Sequence, residues 1–280
     1  MPGFLPPFLR GDLKPHWLYA RWVRSVPWAN TTQRLQNYAV FVSIATVVLV
    51  ATGGLMGYGS GAEGATITIV LAIAGFMFII VDFASVLFGI ATAREHISKF
   101  DLLRMSPIPP ELLTETLQQV ALTRAWRVLV VMQAIRMAIV TGVFTFGIML
   151  VVFMAVITFG AGAIWIVSLV ALALGEPVWR IKLTTALGVM AGVTVEGTTS
   201  QWGIGFGMLL LLWLAQGIVA LLPFAILLLP VVTDNDGAIP FFLWLTITLP
   251  LMTWGIRRVQ HRVCDYCLAR VSRHIVEPAV

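Results

Sequence analysis

Charged residues are scarce in this chain of 280 residues. Asp, Glu, Lys and Arg make up 11% of it, whereas hydrophobic residues make up 59%. Soluble domains carry about 25% charged residues, so this chain has too few to cover a globular surface in water. Several apolar runs reach the roughly 20 residues that a helix needs to cross a bilayer. The sequence therefore predicts an all-α, polytopic integral membrane protein.

Other absences narrow the possible functions. The chain has two cysteines, Cys264 and Cys267, so no disulfide framework is expected. It has no G-x-x-x-x-G-K-[ST] phosphate loop, which excludes ATP binding by that motif. No Ser/His/Asp set and no pair of carboxylates suggests catalysis. We therefore expect neither an enzyme nor a cofactor in this chain.

The apolar runs predict six membrane-spanning helices. The N-terminal residues contain no apolar run of signal-peptide length, so we expect the first span to stay in the protein. The stretch from Val128 to Gly175 is long enough for two crossings. The other four predicted spans run from about Tyr38 to Tyr58, Thr66 to Ala93, Gly203 to Val231 and Ala238 to Ile256.

The distribution of Lys and Arg predicts the orientation. These residues collect in the N-terminal region, in the middle segment and in the tail, whereas the loops at Glu63 and at Asp234 and Asp236 have none. The positive-inside rule therefore places both termini and the middle segment in the cytoplasm. We divide the chain into an interfacial N-terminal helix (1–37), a six-helix transmembrane domain (38–258) with a cytoplasmic segment (94–127), and a basic tail (259–280).

Residues 175–201 allow two interpretations. Either span four ends near Gly175 and a cytoplasmic or interfacial segment follows, or one long helix runs from about Gly162 to Val195. We favour the long helix, because the stretch LTTALGVMAGVTV is too apolar for a free loop. Glu176 and Arg180 would then lie within membrane depth, four residues apart with the acid first, which favours an ion pair along the helix.

Two further ionisable residues fall inside predicted spans. Asp82 lies in span two and Arg136 lies near the start of span three. Intramembrane charges are candidates for a function by default. The two could pair between adjacent helices, in a transport role or simply to fix the register of the helices.

The middle segment predicts a short amphipathic helix. Ser106 is a candidate N-cap, Pro107 suits the first turn, and Glu111 lies near the positive end of the helix. Apolar residues recur at helical spacing at Leu112, Leu113, Leu117 and Val120. Such a helix either docks another protein or lies on the lipid.

The same segment resembles a loop of ABC-2 type transporter permeases. Those proteins often carry E-R-x-x-G-T-x-[DE]-L-L-x-[ST]-P-[LI] between their second and third spans, and this chain has AREHISKFDLLRMSPI. The matching positions are Glu95, Phe100, Asp101, Leu102, Ser106, Pro107 and Glu111. Ser98 and Lys99 stand where the family has Gly-Thr, so the coupling motif is divergent. Residues Lys14 to Ser25 and Ala186 to Val193 resemble other parts of the family more loosely.

The resemblance implies a function and its partners. The chain would be the membrane-spanning subunit of an ATP-driven exporter in a prokaryotic inner membrane. ATP and magnesium would bind a separate ATP-binding subunit, which would grip residues Glu95 to Glu115, and a second permease chain would complete a dimer. The alternative is an accessory or structural subunit of a larger membrane complex, such as a respiratory or photosynthetic assembly.

The tail contains a weak candidate for a metal site. His261, Cys264 and Cys267 have side chains that suit zinc, and His274 follows them. At three-residue steps on one helix, however, the first three drift around its surface. A lipid-facing amphipathic helix anchored by arginines is the preferred interpretation. An intramembrane metalloenzyme using these residues is a third hypothesis for the function.

Overall fold

The computed structural model describes residues 40, 41, 44, 63–97, 108–126, 130, 135, 179–233 and 238–276. Helices account for almost all of these residues, and no strand occurs among them. This confirms the all-α class for the described part of the chain. The helices are α1 (Glu63–Ile97), α2 (110–126), α3 (179–194), α4 (Thr198–Thr233) and α5 (Ala238–Val276).

Three of these helices are long. α1, α4 and α5 have 35, 36 and 39 residues. At about 1.5 Å per residue each is longer than the roughly 30 Å apolar core of a bilayer. They contain the apolar runs predicted as spans two, five and six. Among the described residues, the stretch Thr198–Ile218 is long and apolar enough to cross a membrane, with 22% of its apolar window buried.

α1 and α3 touch backbone to backbone along a seam of small residues. A Cβ at Gly188 would lie 2.2 Å from the carbonyl oxygen of Val86, and one at Gly89 would lie 2.6 Å from that of Thr185. One turn further on, a Cβ at Gly192 would meet the Cβ of Ala93 at 2.7 Å. Residue numbers rise together along the seam, so α1 and α3 run parallel. Because the glycines of the seam have no side chain, the two backbones can approach this closely.

α4 returns antiparallel to α1 and α3. The connection from α3 is short, and Gly197 adopts a φ of 92°, a left-handed conformation that glycine takes without strain. Gln201, in the first turn of α4, donates from Nε2 to the carbonyl oxygens of Gly192 and Val195. Gly205 then packs against Val86 and Ile90 of α1. The turn therefore places the start of α4 beside the ends of α1 and α3.

α3 lies at the centre of the bundle. Its residues 183–193 are all buried, so it is enclosed on every side, as a helix that is apolar all round requires. The stretch LTTALGVMAGVTV is thus helical up to residue 194. Residues 162–178 lie outside the described part, so the start of span four stays a prediction.

The predicted tail is the second half of α5 and belongs to the core. The helix continues through residues 258 and 259 without interruption, and Cys264, Cys267, Val271 and Ile275 are buried in a cluster shared with α1 to α4. The expectation of a lipid-facing tail helix was therefore wrong for this face. Its apolar stripe is covered by the protein's own helices, and the arginines occupy the opposite, exposed side.

Candidate functional site

A buried ion pair joins α1 to α3. The Nε of Arg180 donates to both carboxylate oxygens of Asp82, at 2.8 and 2.7 Å, and its Nη2 lies 2.6 Å from Oδ2. The Asp82 side chain is fully buried, and that of Arg180 is 13% exposed. A fork of guanidinium donors on a carboxylate is the strongest form of such a pair. Both residues were predicted from the sequence to be polar groups within the membrane.

Trp213 extends the pair to a third helix. Its indole Nε1 donates to Asp82 Oδ2 at 2.8 Å, so α1, α3 and α4 all contribute to one polar cluster. The ring of Phe83 lies against both Phe206 and Trp213 of α4, with centroids 4.5 and 5.9 Å apart. Arg136 and Glu176, the partners that the sequence suggested for Asp82 and Arg180, lie outside the described residues.

The hydrogen bond from Trp213 to Asp82 was not predicted from the sequence. Tryptophan is enriched at membrane–water interfaces, so the ten tryptophans of an apolar chain do not by themselves indicate a buried polar contact. A tryptophan within an apolar helix still needs a partner for its indole N–H, and that requirement is the signal that could have pointed to a buried acceptor such as Asp82.

The polar cluster fixes the arrangement of three helices. Two charges removed from water are expensive unless their hydrogen bonds are complete, and removing one partner of such a pair costs about 3–5 kcal/mol. The donors from Arg180 and Trp213 occupy both oxygens of Asp82. Moving α3 or α4 away from α1 therefore requires breaking charge-assisted bonds in a buried environment.

The helix predicted in the middle segment exists, but it begins later than expected. Residues 108 and 109 are not helical, α2 starts at 110, and the first helical bond runs from Leu113 N to the carbonyl oxygen of Pro109. Pro110 therefore takes the first helical position, where no N–H is needed. The N-cap position is therefore Pro109, directly before Pro110. The placement of the N-cap at Ser106 was wrong.

α2 packs inside the bundle. Leu113, Leu117, Val120 and Ala121 belong to the buried cluster that also contains residues of α3 and α5. Gln118, itself buried, donates from Nε2 to the carbonyl oxygen of Lys182 at 3.2 Å and to Cys264 Sγ at 3.4 Å. The apolar face predicted to dock a protein or lie on lipid is thus covered by this chain, and α2 is bound to the helices around it.

Three of the described acids of the segment are exposed at the surface. Glu95, at the end of α1, pairs with Arg124 of α2, and its side chain is 51% exposed. Glu111 and Glu115 are exposed in the first two turns of α2. Thus Glu95 and Glu111, two of the seven predicted coupling residues, are at the surface. The other five, Phe100, Asp101, Leu102, Ser106 and Pro107, lie outside the described residues.

The weak metal candidates are not brought together. Cys264 and Cys267 are buried in the core, and burial raises the pKa of both thiols, that of Cys267 to about 12. The ring of His261 lies instead beside Trp179, at a centroid distance of 6.4 Å. Among the described residues no group of three or more His, Cys, Asp or Glu side chains could hold a metal ion.

Comparison with protein-family models, curated proteins and solved structures finds no match for this chain. Its function therefore has to be argued from the sequence and from the contacts described above.

Proposed function

We propose that this chain is the membrane-spanning subunit of an ATP-driven transporter of the ABC-2 permease type, acting as an exporter. The observation that carries the proposal is the attachment of the middle segment to the bundle. α2 is buried among α1, α3 and α5, and the Glu95–Arg124 ion pair ties it to the end of α1. A force applied to the exposed end of α2 would thus reach several helices at once.

The directions of the helices support the six-span topology. In that topology spans two, four and six run toward the cytoplasm and span five runs away from it. α1 and α3 are parallel and α4 is antiparallel to them. α5 has the direction of α3, because Trp179 lies beside Arg257 and Lys182 lies near Cys264. These directions agree with spans two, four, five and six.

The contact with an ATP-binding subunit is proposed at the exposed end of α2. Glu111 and Glu115 are exposed there, close to Pro109, which is also exposed. The coupling motif deviates from the family pattern at Ser98 and Lys99, which lie outside the described residues, and at Glu115 and Thr116 of α2, where the family often has Gly-Lys.

The test is purification of the intact complex from native membranes in a mild detergent, followed by mass spectrometry. We expect an ATP-binding subunit with the native chain and its loss from the variant Glu111→Lys with Glu115→Lys. The control is Glu196→Lys with Asp265→Lys, which makes the same change in charge at two exposed acids elsewhere and should keep the subunit.

One outcome would contradict the proposed function, and another would contradict the proposed contact. Co-purification with electron-transfer or pigment proteins and without any ATP-binding subunit would make the chain an accessory subunit of such an assembly. Retention of the ATP-binding subunit by the Glu111 and Glu115 variant would leave the transporter intact but would remove its contact from the start of α2.

A further inference from the structure

Three side chains of α3 and α5, Trp179, Arg257 and His261, meet at one edge of the bundle, and Lys182 lies close enough to act on His261. These four residues are here called the Trp179 corner. The guanidinium of Arg257 lies over the indole of Trp179, 5.1 Å from its centroid. The ring of His261 lies 6.4 Å from the same indole. Arg257 and His261 are four residues apart, hence on one face of α5. Trp179 therefore contacts two basic side chains of the neighbouring helix.

The corner concentrates positive charge. The structure pairs the carboxylates of Asp82 and Glu95 with Arg180 and Arg124, and among the described residues neither Lys182 nor Arg257 forms an ion pair. Burial lowers the pKa of His261, and the charges of Lys182 and Arg257 lower it further, against the opposite effect of Asp265. Lys182 and Arg257 thus both place positive charge near His261. An anion bound there would reduce the repulsion between these charges.

The surface beside the corner is apolar. Leu251 and Trp254 of α5 are 56% and 59% exposed, directly before the first arginine of that helix. Arg258 lies over the Trp254 ring, 5.1 Å from its centroid. Tryptophan and arginine at the end of an apolar helical stretch are typical of the boundary between lipid and water. The corner therefore lies where the exposed surface of α5 changes from apolar to basic.

We propose that the Trp179 corner binds the phosphate headgroup of an anionic phospholipid. Lys182 and Arg257 contact the phosphate, and the acyl chains lie along Leu251 and Trp254. A guanidinium stacked on an indole keeps its N–H groups free at the edge, where they can donate to phosphate oxygens. The apolar surface next to the corner favours a lipid over a free phosphate ion. The inference requires insertion in a membrane and does not depend on the transport function.

Lipid binding to the full-length chain in detergent tests the proposal. Phosphatidylglycerol or phosphatidylcholine is titrated, and bound lipids are counted by native mass spectrometry. We expect one tightly held phosphatidylglycerol per chain. Lys182→Gln with Arg257→Gln should weaken its binding by about 30-fold, since a basic group near the headgroups contributes about fivefold. Phosphatidylcholine binding should not change.

The matched control is Arg270→Gln with Arg273→Gln, which removes two exposed positive charges from the same helix, away from Trp179. It should leave phosphatidylglycerol binding almost unchanged. An equal loss in both double variants would overturn the proposal, because it would indicate attraction to the net charge of α5. So would equal binding of the two lipids.

Two further measurements keep the test decisive. Millimolar inorganic phosphate should not displace the lipid, and displacement would assign the corner to a free anion instead. If the double variant does not fold, Arg257→Gln alone replaces an exposed residue and should lower the affinity by about fivefold. Unchanged affinity in that variant would remove Arg257 from the site and overturn the proposal.

Discussion

At the scale of single residues, Asp82 stands out among the described residues for its buried charge-assisted hydrogen bonds. Its carboxylate is fully buried and accepts hydrogen bonds from Arg180 of α3 and Trp213 of α4. A buried carboxylate is kept only where donors replace the water it loses. The sequence singled out Asp82 and Arg180 because each charge interrupts an apolar run. It could not pair them, since they lie far apart in the chain and only the packing of α1 on α3 brings them together.

Replacing Asp82 should destabilise the fold strongly. Asp82→Asn keeps the shape of the side chain but removes the negative charge facing Arg180. We expect a loss of about 3–5 kcal/mol in the free energy of unfolding. The double variant Asp82→Asn with Arg180→Gln should be more stable than Asp82→Asn, because neither charge is then left facing a neutral group. Thermal unfolding in detergent measures both, and a loss below about 0.5 kcal/mol would contradict the prediction.

Glycines of similar appearance in the sequence should respond differently to alanine. A Cβ at Gly188 would lie 2.2 Å from a backbone oxygen of Val86, which cannot move aside as a flexible side chain would. Gly188→Ala should therefore separate α1 from α3 and lower the melting temperature strongly. Nothing lies within 4 Å of a Cβ at Gly207, so Gly207→Ala should be neutral or slightly stabilising. Equal melting temperatures for the two variants would contradict the described seam.

At the scale of the helix, α5 has two different faces beyond its apolar half. The inner face carries Gln260, Cys264, Cys267, Val271 and Ile275, all buried, whereas Arg262, Arg270 and Arg273 are exposed on the outside. The spacing of these residues predicted an amphipathic helix correctly. It could not show whether lipid or protein covers the apolar face, because both environments are satisfied by the same pattern.

The reactivity of the two cysteines can show whether the inner face of α5 is covered by protein. Burial raises the pKa of Cys264 and Cys267, the latter to about 12 from 9.0, so almost no thiolate is present near pH 8. Since the thiolate is the reactive form, we expect no alkylation by iodoacetamide in the folded protein and full alkylation after unfolding in SDS. Ala269→Cys, at an exposed position of the same helix, should react in the folded state. Rapid reaction of the native cysteines would place this face against solvent.

At the scale of the whole molecule, the relative directions of the described helices limit which membrane topologies are possible. Apolar runs predicted the regions of α1, α4 and α5, because length and composition suffice to identify such helices. The close backbone contact between α1 and α3 was not predicted from the sequence. Gly188 and Gly192 form a G-x-x-x-G pattern, and Ser85, Gly89 and Ala93 repeat at the same four-residue step in α1, which is the signal that could have predicted it.

The directions predict which sites share one side of the membrane. Arg94 at the end of α1, Glu196 between α3 and α4, and Arg273 near the end of α5 are all exposed. In a background without Cys264 and Cys267, single cysteines at these three positions should react with a membrane-impermeant maleimide from the same side in oriented vesicles. Labelling of one of the three from the opposite side would contradict the parallel arrangement of α1, α3 and α5.

The glycine seam also limits how the molecule can change shape. α1 and α3 interlock through their backbones at Gly89 and Gly188, so a slide by one residue would drive a side chain into the opposite main chain. The contacts of α1 with α4 are made by side chains instead, among them the aromatic rings of Phe83, Phe206 and Trp213. In mechanical terms, α1 and α3 form one stiff beam, whereas α4 is held to that beam through side chains.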